Sequence, residues 1–113
     1  MELVVVEIGP AATCVRLDGR LDAAGADAIG VRFSAAVASP GRHAVIDLSG
    51  VSFLASMGIR LLISTARALH TKGSMLVLYG AQGPVLEVLQ EASIDQIIPM
   101  AATREEALAL LPV

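Results

Sequence analysis

Apolar residues along the chain fall into short segments with two spacings, and these predict a β-β-α-β-α-β-α-β-α order. Residues 3–8 are apolar and β-branched, with Val4, Val6 and Ile8 on one side, which predicts a first strand. Gly9-Pro10-Ala11-Ala12 reads as a turn. From Thr13 to Asp18 the alternation is clean, with Thr13, Val15 and Leu17 on one face and Cys14, Arg16 and Asp18 on the other. That pattern predicts a half-buried strand, hairpin-paired with the first, and puts Cys14 on the more polar face or at a packing edge. Asp22 can cap a helix running from Ala23 to about Ala38, with Ile29, Phe33, Ala36 and Val37 as its apolar stripe. Gly25 and Gly30 weaken that helix by about 1 kcal/mol each relative to alanine.

The middle of the chain is organised around residues 43–70. Ala44, Val45, Ile46 and Leu48 form a nearly continuous apolar run, as in a strand covered on both faces of a parallel sheet. Ser49 and Gly50 supply turn chemistry, and a second apolar patch, residues 51–54, leads to Ser56. From Ile59 the period becomes helical: Ile59, Leu62, Ile63, Ala66 and Leu69 face the core, and Ser56 reads as the N-cap. Thr71-Lys72-Gly73 is a stop signal, residues 74–79 a strand, and Gly80 to Gly83 a loop. Pro84 opens a third helix packed by Val85, Leu86, Val88 and Leu89. A last strand is expected at Ile97-Ile98, closed by Pro99. Thr103 and Glu106 make a capping box for a final helix packed by Ala107, Leu108, Leu110 and Leu111. The fold class that follows is α/β: a single domain over residues 1–113 with a mixed, mostly parallel sheet, an opening β-hairpin and about four helices.

Composition narrows the function. A net charge of −3 with only 8 Lys and Arg argues against direct nucleic-acid binding, which needs a basic face. No run approaches the ~18 consecutive apolar residues of a membrane span, and the N-terminus lacks a basic segment ahead of its apolar run. A cytoplasmic protein without membrane contact is expected. One cysteine and two histidines make no metal-ligand set, and no cofactor is implied. No base is placed by sequence to activate Ser56, since His43 and His70 sit at element ends and read as surface residues. The Gly80-x-x-Gly83 loop lacks the Lys-Ser/Thr ending of a P-loop. The chain is therefore not expected to be an enzyme. Asp22 reads as a cap and Asp47 as a partner of nearby backbone; Ser49 and Ser52 are turn residues first and alternative phosphosites second.

Val45-Ile-Asp-Leu-Ser-Gly-Val-Ser-Phe-Leu-Ala-Ser-Met-Gly-Ile-Arg-Leu-Leu62 resembles the signature of the STAS domain in bacterial anti-sigma factor antagonists. Gly19-Arg-Leu-Asp22 resembles the family's motif after the second strand, and Ala92-Ser-Ile-Asp-Gln-Ile-Ile-Pro99 its motif before the last. The resemblance implies a switch protein. Unphosphorylated, it binds an anti-sigma factor that is also a serine kinase and so frees the sigma factor; phosphorylation ends the complex, and a serine phosphatase resets it. The switch serine maps to Ser56. The family commonly has Asp-Ser-Ser-Gly where this chain has Ala55-Ser56-Met57-Gly58, so an acidic neighbour and a second hydroxyl are absent.

Helical spacing puts Met57, Arg60, Leu61 and Ser64 on one stripe beside the core face, either as a docking surface or, for Leu61 and Met57, as packing against neighbours. Asp22, Ala55 and Gly58 complete the expected partner-binding set, with Gly80 and Gly83 as its rim if the strands are parallel. The competing reading is a STAS interaction module that is never phosphorylated, a constitutive scaffold or a transport accessory subunit.

Overall fold

The computed structural model describes residues 1–9 and 12–112. The turn expected at Gly9-Pro10-Ala11-Ala12 lies in part outside the described residues. Five strands form one sheet in the order β1 (Glu2–Ile8), β2 (Ala12–Leu21), β3 (His43–Leu54), β4 (Leu76–Tyr79) and β5 (Met100–Ala101). The β1–β2 pair is antiparallel, and every later pair is parallel. Parallel neighbours need crossovers, and the chain supplies a helix for each. These are α1 (Ala23–Phe33, prolonged by a π-helical turn, Ser34–Ala38), α2 (Ser56–Thr71) and α3 (Gly83–Glu91); α4 (Arg104–Ala109) follows the last strand.

The sheet is buried on both faces at its centre, which is why Ala44-Val45-Ile46 is apolar without interruption. Val15, Leu17, Ile46, Leu48 and Leu78 face α1, α2 and α3, where they meet Ile29, Phe33, Leu62, Leu69 and Leu89. Ala12, Cys14, Val45 and Val77 face the other way and are covered by Ala107 and Leu111 around α4. Cys14 is thus a core residue, 5% exposed, and not an edge residue. The alternation gave its face correctly, but could not show that the C-terminal helix closes over it.

Three further expectations are corrected. Ser49-Gly50 does not turn the chain: β3 continues to Leu54 beside a lengthened β2. Register shifts between Arg16 and Asp18 and between Gly19 and Arg20 each place an extra residue in β3, so the turn chemistry is spent on bulges. Gly50 leaves room there for the Asp18 carboxylate, which a Cβ would force aside. The last strand is Met100–Ala101, not Ile97-Ile98, because the chain first makes a 3₁₀ turn at Ile94–Gln96. Ile98 is still buried, while Ile97 is exposed. In the final helix only Ala107 and Leu111 pack inward, whereas Leu108 and Leu110 are exposed, since six residues present a single narrow face to the sheet.

Candidate functional site

The paired ends of β2 and β3 carry the starts of two helices. Arg20 is opposite Phe53 and Leu21 opposite Leu54; the ladder then closes with the Ala55 N–H donating to the Leu21 carbonyl at 3.1 Å. That bond holds Ala55 in an extended conformation (φ −124°, ψ 177°), and the helix starts one residue earlier than expected. Ala55, not Ser56, occupies the cap position, and Ser56 is the first residue of α2. The consequence is chemical. No side chain caps α2, and the exposed Ser56 hydroxyl is not engaged in capping.

Gly58 fixes this first turn against the strand ends. A Cβ there would overlap the Leu21 carbonyl oxygen and would lie 2.6 Å from Leu21 Cγ and 3.0 Å from Leu54 Cδ1. The adjoining helix α1 is capped as expected, with Asp22 Oδ1 accepting the Gly25 N–H at 2.8 Å. Gly25 too has no room for a Cβ, which would overlap the Arg20 carbonyl. Its cost in helix propensity is therefore the condition for α1 to start so close to β2. The Gly25 N–H, and after it the Arg20 guanidinium, hold the Asp22 carboxyl below the usual carboxylate range.

Around Ser56 the surface is apolar and cationic. Met57 is 45% exposed and Phe53 40% exposed. The Arg20 guanidinium lies over the Phe53 ring at 4.2 Å from its centroid and reaches Asp22 Oδ2 at 3.4 Å. Arg60, exposed, follows Ser56 by one helical turn. Sequence reasoning missed Arg20 and Phe53; the signal was an aromatic within the apolar patch at residues 51–54, made meaningful only by its cross-strand arginine.

Of the residues singled out beforehand, Asp22, Ala55, Met57, Gly58 and Arg60 gather at this end. Leu61 packs half-buried against the core, so it is packing first. Ser64 is exposed two turns further along α2, its hydroxyl donating to the Leu61 carbonyl at 3.1 Å. The loop that carries Gly80 and Gly83 leaves β4 at the Ser56 end of the parallel strands, as expected, with Gly80 set back along β3. Gly80 sits against Asp47 and Ser49 and donates its N–H to the Ala101 carbonyl at 3.3 Å. Because β3 runs on past the end of β4, the five residue steps from Ser49 to Leu54 put about 16 Å of strand between the level of Gly80 and the Ser56 turn. His70 lies about 20 Å from Ser56 along α2, and His43 is at the opposite end of β3.

The sequence profile of the STAS domain matches residues 3–107. BtrV of Bordetella bronchiseptica, a candidate anti-sigma factor antagonist, is 30% identical over 93 residues, or 82% of this chain and 80% of that protein. An anti-sigma factor antagonist from Mycobacterium paratuberculosis superposes with a TM-score of 0.81 at 27% identity, over 96% of this chain and 92% of that one. The phosphorylated form of the Bacillus cell-fate determinant SpoIIAA shares the fold with a TM-score of 0.70 at 21% identity, over 96% and 97%. So does part of a murine anion transporter, solute carrier 26 family member A9, with a TM-score of 0.76 at 20% identity, over 88% of this chain and 17% of that one. A profile match over residues 3–107, from β1 into α4, together with relatives of nearly equal length, shows that the chain belongs to the STAS domain family, in a form like that of the anti-sigma factor antagonists.

Proposed function

We propose that the chain is a partner-switching anti-sigma factor antagonist, and that its switch is phosphorylation of Ser56. One observation carries this reading: an exposed hydroxyl, free of any capping role, on the first residue of an uncapped helix. A phosphate there would add about 1.5–2 negative charges at pH 7. The helix N-terminus accepts such charge, with a gain of ~0.3–1 kcal/mol at an exposed position. The turn beneath is clamped by Gly58 against Leu21, so the domain keeps its shape. A partner docked over Met57 and Phe53 would meet the charge directly. Pressing a phosphate against an apolar or acidic surface costs several kcal/mol, and ~1.4 kcal/mol is tenfold in affinity.

The unphosphorylated chain then binds, in the cytoplasm, an anti-sigma factor with serine kinase activity and frees the sigma factor; a serine phosphatase restores it after phosphorylation. The match to BtrV and the existence of a phosphorylated SpoIIAA on this fold support the reading. The chain itself needs no catalysis for this role.

The test is intact-mass spectrometry with site mapping after incubation with an anti-sigma factor kinase from the same organism and ATP. A single phosphate on Ser56 that abolishes co-elution supports the switch, and Ser56→Asp should weaken the complex tenfold or more. The structural likeness to the transporter's domain, with Ala55 and Met57 in place of an acid and a second hydroxyl, favours a second reading as a constitutive interaction module. That reading predicts an unmodified Ser56, a stable complex and no effect of Ser56→Asp.

A further inference from the structure

At the end of the sheet away from Ser56, the last turns of α2, the start of β4 and residues 97–99 enclose an open groove of about 740 Å³. That volume is within the ~300–1,000 Å³ of sites that take small organic molecules. Its walls are largely apolar, built by Ala66, Met75, Leu76, Ile97, Ile98 and Pro99. Ile97 was expected in a strand; here it lines the groove with 52% of its surface exposed.

The polar groups along the groove divide into committed and uncommitted ones. The Thr71 hydroxyl donates to the Ala68 carbonyl and the Ser74 hydroxyl to the Gly41 carbonyl. His43 Nδ1 accepts the Met75 N–H at 3.0 Å, so the neutral ring carries its proton on Nε2. What remains is a set of donors: the Arg67 guanidinium, the His70 ring and His43 Nε2–H. Among the described residues no Asp or Glu lines the groove, and neither Arg67 nor His70 has an ion-pair partner. The negative end of the α2 dipole acts against an anion here. Two of its last carbonyls, those of Leu69 and His70, accept the Lys72, Gly73 and Ser74 N–H groups, and a full guanidinium charge outweighs the remaining partial charge.

An apolar trough bordered by unpaired donors is complementary to a molecule with an apolar body and one anionic head. We infer that this groove binds amphipathic monocarboxylates, of which a medium-chain fatty acid anion is the simplest, with Arg67 holding the carboxylate and the Met75–Ile98 walls holding the chain. The inference stands apart from the switch at Ser56, which lies about 17 Å away along α2 from Arg67, and its test needs no partner protein.

The experiment titrates the isotope-labelled chain with decanoate, decanol and decylammonium, each below its micellar concentration, and follows backbone amide shifts. Decanoate should move the amides around Met75 and Ile98, decanol should bind roughly tenfold or more weakly, and decylammonium not at all. Arg67→Met keeps the apolar stem at an exposed helix position; it should leave thermal unfolding unchanged, weaken decanoate by roughly tenfold or more, and leave decanol unaffected. Ser56→Ala should bind decanoate like the native chain. Equal affinity for decanoate and decanol, shifts confined to another surface, no binding by any probe, or an unaffected Arg67→Met would each overturn the inference. So would a concentration-dependent dimer that buries these residues without ligand.

Discussion

Replacing Gly58 by alanine adds one methyl group where α2 meets the end of β2. Its neighbours are the Leu21 carbonyl oxygen, which it would overlap, Leu21 Cγ at 2.6 Å and Leu54 Cδ1 at 3.0 Å. Carbon atoms prefer ~3.5–4.0 Å, so the first turn of α2 must retreat by about 1 Å. A leucine side chain can rotate, but the backbone oxygen cannot, because it accepts the Ala55 N–H. Overpacking of this kind costs ~1–3 kcal/mol, and the obstruction by backbone puts Gly58→Ala at or above the top of that range. Better helix propensity returns about 1 kcal/mol, for a net loss of about 2 kcal/mol. At about 4 °C per kcal/mol, the midpoint of thermal unfolding should fall by roughly 8 °C. Gly30→Ala is the internal control: the same chemical change in α1, with nothing within 4 Å of the new Cβ, should stabilise by about 0.5–1 kcal/mol. Urea denaturation of both variants, with unchanged m-values, reads the two numbers directly. If Gly58→Ala is neutral, or shares the sign of Gly30→Ala, the clamp under Ser56 does not exist as described.

Other expectations follow from single contacts. Asp22→Asn should keep the α1 cap but flatten the acid limb of the stability profile: the folded-state carboxyl is held low, so its contribution is complete above the unfolded value of ~3.9 and is lost as pH falls through the depressed one. Chemical denaturation between about pH 5 and pH 2 compares the two, and parallel curves would refute the assignment. Thr103→Ala removes the hydroxyl that accepts the Glu106 N–H at 3.2 Å and should cost about 1 kcal/mol in the same assay. Phe53→Ala should change stability by no more than ~1 kcal/mol, the scale of an exposed cation–π contact, yet weaken the anti-sigma complex by tenfold or more in calorimetry. Unchanged affinity would take Phe53 and its Arg20 out of the docking face.

The sequence alone determined what depends on neighbours in the chain. Period-two and helical spacings set the order of strands and helices; Asp22 and Thr103 cap where they do because a short side chain reaches only the next turn. Glu106 nonetheless reaches the Ala102 N–H rather than that of Thr103, a one-residue difference in the expected box. Tertiary structure decided whatever depends on a second segment. β3 extends to Leu54 because β2 offers it partners and Gly50 lets the Asp18 side chain pass. α2 begins at Ser56 because Leu21, far away in sequence, holds the Ala55 N–H. Cys14 is buried because α4 returns across the sheet, and Gly80 is set back from Ser56 because β4 is shorter than β3. A hydroxyl at a helix start is legible from sequence; whether it is committed as a cap or left free for chemistry depends on the strand alongside, since hydrogen bonds between distant segments leave no period in the chain.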